Sequence, residues 1–223
     1  MNLKDALDVL KTALDNVEQA ARADDKTPLQ NALALNESKS FFALGDESAN
    51  IIVFADINDF KTVNEQYGSA IGDAAINQVG VKIQELFVEK LNAVAFRQSG
   101  DEFVILIQSK FLDEFKETAN YFTSCLVQIA DQNFIVKMSF GYIISDGTLE
   151  FERLLSKAET ACKQAKPLGG GICLEWTEEM ERTIFEKMRR TCRSCGTIVN
   201  CEIPQEAKLK TFRSCPICEA TFA

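Results

Sequence analysis

The chain contains no histidine in 223 residues, so imidazole ligation is excluded and any transition-metal site must rest on cysteine and carboxylate. Basic residues are in deficit. Twenty-four lysines and arginines against 33 aspartates and glutamates leave a net charge of −9. That balance argues against nonspecific binding to nucleic acid or to an acidic membrane, because phosphate contacts need clustered cations. Long hydrophobic runs are also missing: none approaches the roughly 20 residues that cross a bilayer. The start Met1-Asn2-Leu3-Lys4-Asp5 lacks the basic-then-apolar order of a secretion signal. The expectation is a cytoplasmic protein with no membrane contact.

Apolar residues are plentiful, at 46% of the chain against 26% charged, which describes a soluble globular protein with a substantial core. The length suits one domain of roughly 150 residues plus a small appendage. Eight cysteines in such a chain point to thiols and metal rather than to a disulfide framework. Four form two pairs, Cys192-Arg193-Ser194-Cys195 and Cys215-Pro216-Ile217-Cys218, separated by 19 residues. This is the spacing of a zinc ribbon: each pair makes a short turn whose thiolates face one ion, and four thiolates close the tetrahedron around a structural zinc. Cys125, Cys162 and Cys173 lie on apolar faces and read as packed hydrophobes, while Cys201 is a surplus thiol near the zinc pairs.

The first segment reads as a helix with apolar residues at Leu3, Leu7, Leu10, Leu14, Val17 and Ala21, alternating spacings of four and three. Two readings are open, a coiled-coil seam over about three heptads or an amphipathic helix lying on its own domain. From Ile51 the pattern gives a strand (51–55), an acidic turn, a helix (about 74–89), a strand (93–96), a second acidic turn and a strand (103–108). A helix (112–131), a strand (134–144), a helix (149–166) and a short strand (172–176) follow, then a charged connector helix. Mixed strands and helices in this order imply an α/β sandwich, one sheet with helices packed on it. The expected organisation is an N-terminal helix (1–23), a main domain (24–177), a connector (178–190) and a zinc ribbon (191–223).

The two acidic turns carry the chemistry. Arg97-Gln98-Ser99-Gly100-Asp101-Glu102-Phe103 puts two carboxylates on a tight turn between strands, and Asp56-Ile57-Asn58-Asp59-Phe60-Lys61 follows another buried strand. A carboxylate at a strand end can reach a cation while the strand stays in the core. Two such turns with a lysine nearby suit magnesium-assisted chemistry on a nucleoside triphosphate.

These segments resemble the GGDEF family, the diguanylate cyclases that join two GTP molecules into cyclic di-GMP, with the signature loop written Ser99-Gly100-Asp101-Glu102-Phe103. Asn64-Glu65-Gln66-Tyr67-Gly68-Ser69-Ala70-Ile71-Gly72-Asp73 resembles the family's Asn-Asp-x-x-Gly-His-x-x-Gly-Asp, and Ser139-Phe140-Gly141 and Ala158 through Lys166 fall at its later strand and helix. Asp24-Asp25-Lys26-Thr27-Pro28-Leu29-Gln30-Asn31-Ala32 looks like a worn copy of its opening motif Asp-x-Leu-Thr-Gly-Leu-x-Asn-Arg. The resemblance implies the palm-like fold of nucleotide cyclases and a bacterial signalling enzyme that works as a homodimer on GTP, with two magnesium ions per active site. It makes Asp56, the Ile57 carbonyl, Asp101 and Glu102 the magnesium site, with Glu102 a ligand or proton acceptor. Lys61 and Lys166 meet phosphate oxygens, Gly100 lies where the nucleotide approaches the backbone, and Asn64 with Asp73 reads guanine.

Several positions depart from the pattern. Ser99 replaces a glycine of the signature, Asn58 a frequent aspartate, Ser69 a common histidine, Lys163 a common tyrosine, and Gly170 a phosphate-binding arginine. Lys90-Leu91-Asn92-Ala93 occupies the place of the product-inhibition motif Arg-x-x-Asp, so no feedback site of that type is expected. Besides the cyclase, two readings stay open: a weak or inactive GTP-binding or partner-binding regulatory module whose zinc ribbon contacts a protein, and a related cyclase or oligonucleotide polymerase of the same fold.

Overall fold

The computed structural model describes residues 3–42, 50–129, 132–145, 147–168, 171–181, 189–191 and 198–200. Two compact units divide the chain, Met1–Trp176 and Thr177–Ala223. In the first, α1 (Leu3–Arg22) and α2 (Ala32–Phe42) precede β1 (Asn50–Ile57), α3 (Phe60–Tyr67) and α4 (Ser69–Ile83), which runs into a π-helical turn, Gln84–Glu89. Then come β2 (Val94–Ser99), β3 (Glu102–Gln108), α5 (Leu112–Tyr121), β4 (Ser124–Ile129), β5 (Gln132–Ile144), α6 (Phe151–Ala165) and β6 (Cys173–Glu175). The second unit contains the antiparallel pair β7 (Arg189–Thr191) and β8 (Ile198–Asn200).

The sheet order is β2-β3-β1-β5-β4, with β6 beside β5. Only the β5–β6 pairing in it is parallel. β1 is central because it is apolar on both faces, and the two-residue period of a strand sends its side chains alternately to two cores. Ile51, Val53, Ala55 and Ile57 meet Ile76, Val79 and Ile83 of α4 and a ring cluster about Phe87, whose centroid lies 6.0–6.3 Å from Phe115, Phe122 and Phe140. Ile52 and Phe54 meet Leu35 of α2 and Leu154, Ala158 and Cys162 of α6. The expected sandwich is therefore present, with helices on both faces. Each large apolar side chain removed from water contributes about 1.5–3 kcal/mol, so the central strand is the least movable part of the unit.

Gly141 on β5 sets how closely α6 approaches. A Cβ there would stand 2.1 Å from the Cys162 nitrogen and 2.2 Å from the Ala158 oxygen, both backbone atoms. Only glycine admits the helix this near, and α6 carries Lys166 at its end.

Three elements differ from the sequence reading. The helix expected over 112–131 stops at Tyr121, and Ser124–Ile129 is a strand that pairs with β5 from Ser124↔Lys137 to Ile129↔Gln132. Phe122, Cys125, Leu126 and Ile129 carry helical spacing, yet the β-branched, alternating segment gains a hairpin ladder that an extra helical turn could not supply. The helix expected from about residue 74 begins at Phe60, broken only at Gly68 with φ 85°. Arg189 and Arg190, assigned to the connector helix, stand in β7. Cys192, Cys195, Cys201, Cys215 and Cys218 lie outside the described residues, as does Gly170. Among the described residues no helix is long and apolar enough to cross a membrane.

Candidate functional site

Asp56 continues the alternation of β1 onto the α6 face, where the apolar cover ends. Its side chain is 11% exposed, and Lys166, in the turn after α6, places Nζ 2.7 Å from Oδ1. Oδ1 is itself buried, with the Lys166 ammonium as its charge partner. Burial pushes this carboxyl up to about 6, against the pull of Lys166, and the charges of Asp101 and Glu102 add to the rise. Burial likewise raises Asp101. Lys166 loses basicity to burial but regains more from Asp56, and ends above its ordinary value.

The signature turn is fastened to the end of β1. Ile57 N–H donates to the Asp101 carbonyl at 3.2 Å, and Glu102 is the register partner of Asp56. Gly100 takes φ 49°, in the left-handed region that glycine adopts at no cost. Ser99 Oγ donates to Glu102 Oε2 at 2.7 Å, so the residue that replaces a glycine of the motif holds the second acid of the turn. Arg97 ties this turn to the opening segment: its Nε donates to the Gly100 carbonyl at 2.9 Å, and Nη1 lies 3.1 Å from Asp24 Oδ2 with both side chains about nine-tenths buried.

A magnesium ion fits this arrangement. Burial holds Asp56 and Asp101 above the ordinary carboxylate range, which a divalent cation would relieve, and magnesium takes one or two protein carboxylates with the rest of its shell from water and phosphate. Among the described residues no three potential ligand side chains gather as a closed metal site. Next to it a cleft of about 310 Å³ is lined by Asn58, Asp59, Thr62, Gln66, Lys137 and Lys166. Asn58 Oδ1 accepts from Ser139 Oγ at 2.8 Å while its Nδ2 is buried without an acceptor. Cys162 is no nucleophile: burial drives its thiol far above the ordinary value, and Sγ donates to the Ser139 carbonyl.

The residues assigned to guanine meet in a second place, between α3 and α4. The Asn64 side-chain oxygen rests on Gly72, where a Cβ would come within 1.9 Å of it, and Asp73 is the next residue. Asp73 is not alone. Lys26 Nζ sits 2.6 Å from its Oδ1. The structure thus brings together Asp56, Lys166 and the Asp101–Glu102 turn, and separately Asn64 and Asp73. Lys61 joins neither: its side chain is 88% exposed and pairs with Glu65 at 3.6 Å. Arg97 and Lys26 are the functional neighbours that the sequence reading gave no role. Their partners lie 73 and 47 residues away, beyond any spacing rule.

The fold is that of an α/β protein whose sheet ends in an acidic turn beside a cleft lined by Lys137 and Lys166. The family model described as "Diguanylate cyclase, GGDEF domain" matches residues 21–171, and the chain belongs to that family. Biofilm architecture maintenance protein MbaA of Vibrio cholerae is 30% identical over 147 residues, 60% of this chain and 18% of that protein. Diguanylate cyclase DgcS of Shewanella oneidensis is 28% identical over 141 residues, 63% of this chain and 45% of that protein. The chain therefore spans less than half the length of these relatives. The coiled coil and GGDEF domain of DgcB from Caulobacter crescentus, solved with c-di-GMP, superposes with a TM-score of 0.67 at 19% identity, covering 77% of this chain and 94% of that one, which establishes the shared fold.

Proposed function

We propose that the chain is a diguanylate cyclase, condensing two GTP into cyclic di-GMP with release of pyrophosphate. The observation that carries the reading is the buried Asp56 carboxylate at the end of β1, paired with Lys166 and in register with Glu102 of the signature turn. Magnesium bound at Asp56 and Asp101 would supply Lewis-acid polarisation of the phosphate under attack. Lys166, fixed by α6, offers a cation to phosphate oxygens with little reorganisation, the quality that electrostatic catalysis requires. Glu102, oriented by Ser99, is the acceptor placed to take the proton of an attacking 3′-hydroxyl. Asn64 and Asp73 hold the base: an amide and a carboxylate pair with the N1–H and 2-amino donors of guanine, which adenine does not present together.

Joining two nucleotides needs two protomers face to face, and α1 offers a seam for pairing. Its Leu7, Leu10, Leu14 and Val17 are 57–65% exposed, so the stripe is unburied in the single chain. In the second unit we assign one structural zinc to Cys192, Cys195, Cys215 and Cys218. The ligand spacing supports it, together with the β7–β8 pairing that brackets residues 192–197. A ribbon of this kind is also the candidate surface for a protein partner. The test is purified protein incubated with GTP and magnesium, with products resolved by chromatography. Cyclic di-GMP is the expected product; unchanged GTP would overturn the reading and favour a receptor that binds GTP without turnover.

A further inference from the structure

The opening segment does more than close the domain. Asp24 Oδ1 accepts from the N–H groups of Lys26 and Thr27 at 3.2 and 2.9 Å and from the Thr27 hydroxyl at 2.9 Å, while Arg97 closes on the same carboxylate. Asn77 of α4 donates through Nδ2 to the Lys26 carbonyl at 2.7 Å. Thr27 packs on Gly80, where a Cβ would come within 2.6 Å of the Thr27 Cβ. The backbone at Lys26 is thereby pinned to α4 one helical turn beyond Asp73, and the side chain runs back along the helix to it. The opening motif of the family has leucine here, a residue that can only pack; this chain presents an ammonium.

We propose that Lys26 is a base-reading residue of the nucleotide site, donating to the O6 acceptor of guanine while Asp73 accepts from the N1–H and 2-amino groups. The proposal rests on the reading that Asn64 and Asp73 face the base. With the Asn64 amide and the Asp73 carboxylate both engaged by the N1–H and 2-amino donors, O6 is left without a donor. With Lys26 Nζ at 2.6 Å from Oδ1, the protein presents a donor beside an acceptor, the complement of the O6/N1–H edge. Both side chains are reachable by a ligand, at 36% and 51% exposure. An ion pair this exposed is held weakly, and the ammonium keeps two further protons to offer, so the base can enter without expelling Lys26 from the site.

The test is calorimetric binding to the full chain, with magnesium, of α,β-methylene triphosphates that cannot turn over, bearing guanine, hypoxanthine or 6-thioguanine. Hypoxanthine keeps O6 and loses the 2-amino group; 6-thioguanine keeps the N1–H and the 2-amino group and carries sulfur, a weak acceptor, in place of O6. Lys26→Met retains the apolar stem and should weaken the guanine and hypoxanthine forms about five- to tenfold, the loss of one net hydrogen bond. It should weaken the 6-thioguanine form about twofold or less, and Lys26→Arg should restore most of the loss. An equal loss for all three ligands would make the role structural and overturn the proposal. So would unchanged or tighter guanine binding in Lys26→Met while Asp73→Asn weakens it, since Lys26 would then be a counter-ion only. If Asp73→Asn itself leaves guanine binding unchanged, the reading of the base site fails and the role of Lys26 falls with it.

Discussion

Asp56→Asn is expected to abolish nucleotide chemistry and, in the same protein without ligand, to raise stability at pH 8. The parent fold holds a carboxylate that burial pushes from 3.8 to about 6. A rise of that size corresponds to about 3 kcal/mol between the two protonation states. Below 3.8 the group is neutral both folded and unfolded, and the fold carries no penalty. As pH rises from 3.8 to about 6 the native state keeps the proton that the unfolded chain has released, so stability falls; above 6 the full penalty is present. Asparagine removes it. The attraction of Lys166 is already contained in the net shift, so the gain at pH 8 is about 3 kcal/mol at most. The assay is urea unfolding without divalent ions at pH 8 and pH 4, followed by the fluorescence of Trp176, the single tryptophan. The difference between variant and parent should be full at pH 8 and fall to about 0.5 kcal/mol at pH 4, just above the unfolded value of 3.8. A variant less stable than the parent at pH 8, or an equal difference at both, would refute the argument that this carboxylate is held at a cost to the fold.

The same unfolding measurement applies to Gly141→Ala, whose Cβ would strike backbone atoms of α6 at 2.1 and 2.2 Å. The helix must shift, and a loss of about 3 kcal/mol is expected; a loss under about 1 kcal/mol would show that α6 has room to spare. Asp101→Asn should remove cyclase activity and, because burial raises this carboxyl too, unfold at a urea midpoint no lower than the parent's at neutral pH, and product formed at the parent's rate would sink its assignment to the cation site. Cys215→Ser should take zinc content from one per chain to none without moving the Trp176 transition, and a parent protein purified without chelator that contains no zinc would dispose of the ribbon.

What could be read in the sequence follows from range. β1 was legible because its buried residues 51–55 form a continuous apolar run, and the acidic turns because each is a single contiguous stretch. β4 was not, since residues 122, 125, 126 and 129 satisfy a helical period and only the partner strand decides against it. The site divides the same way. Asp56, Asp101 and Glu102 announce themselves at strand ends, whereas the bonds that orient them are made across the chain by Arg97 to Asp24 and by Lys166 to Asp56. Ser99 is the instructive case. In the sequence it is a substitution that crowds a glycine turn; in the fold its hydroxyl aims Glu102. Lys26 likewise reads as erosion of a motif until its partner is seen. A departure from a family pattern thus carries no sign of its own, and whether it erodes a site or rebuilds it is decided by what the new side chain reaches.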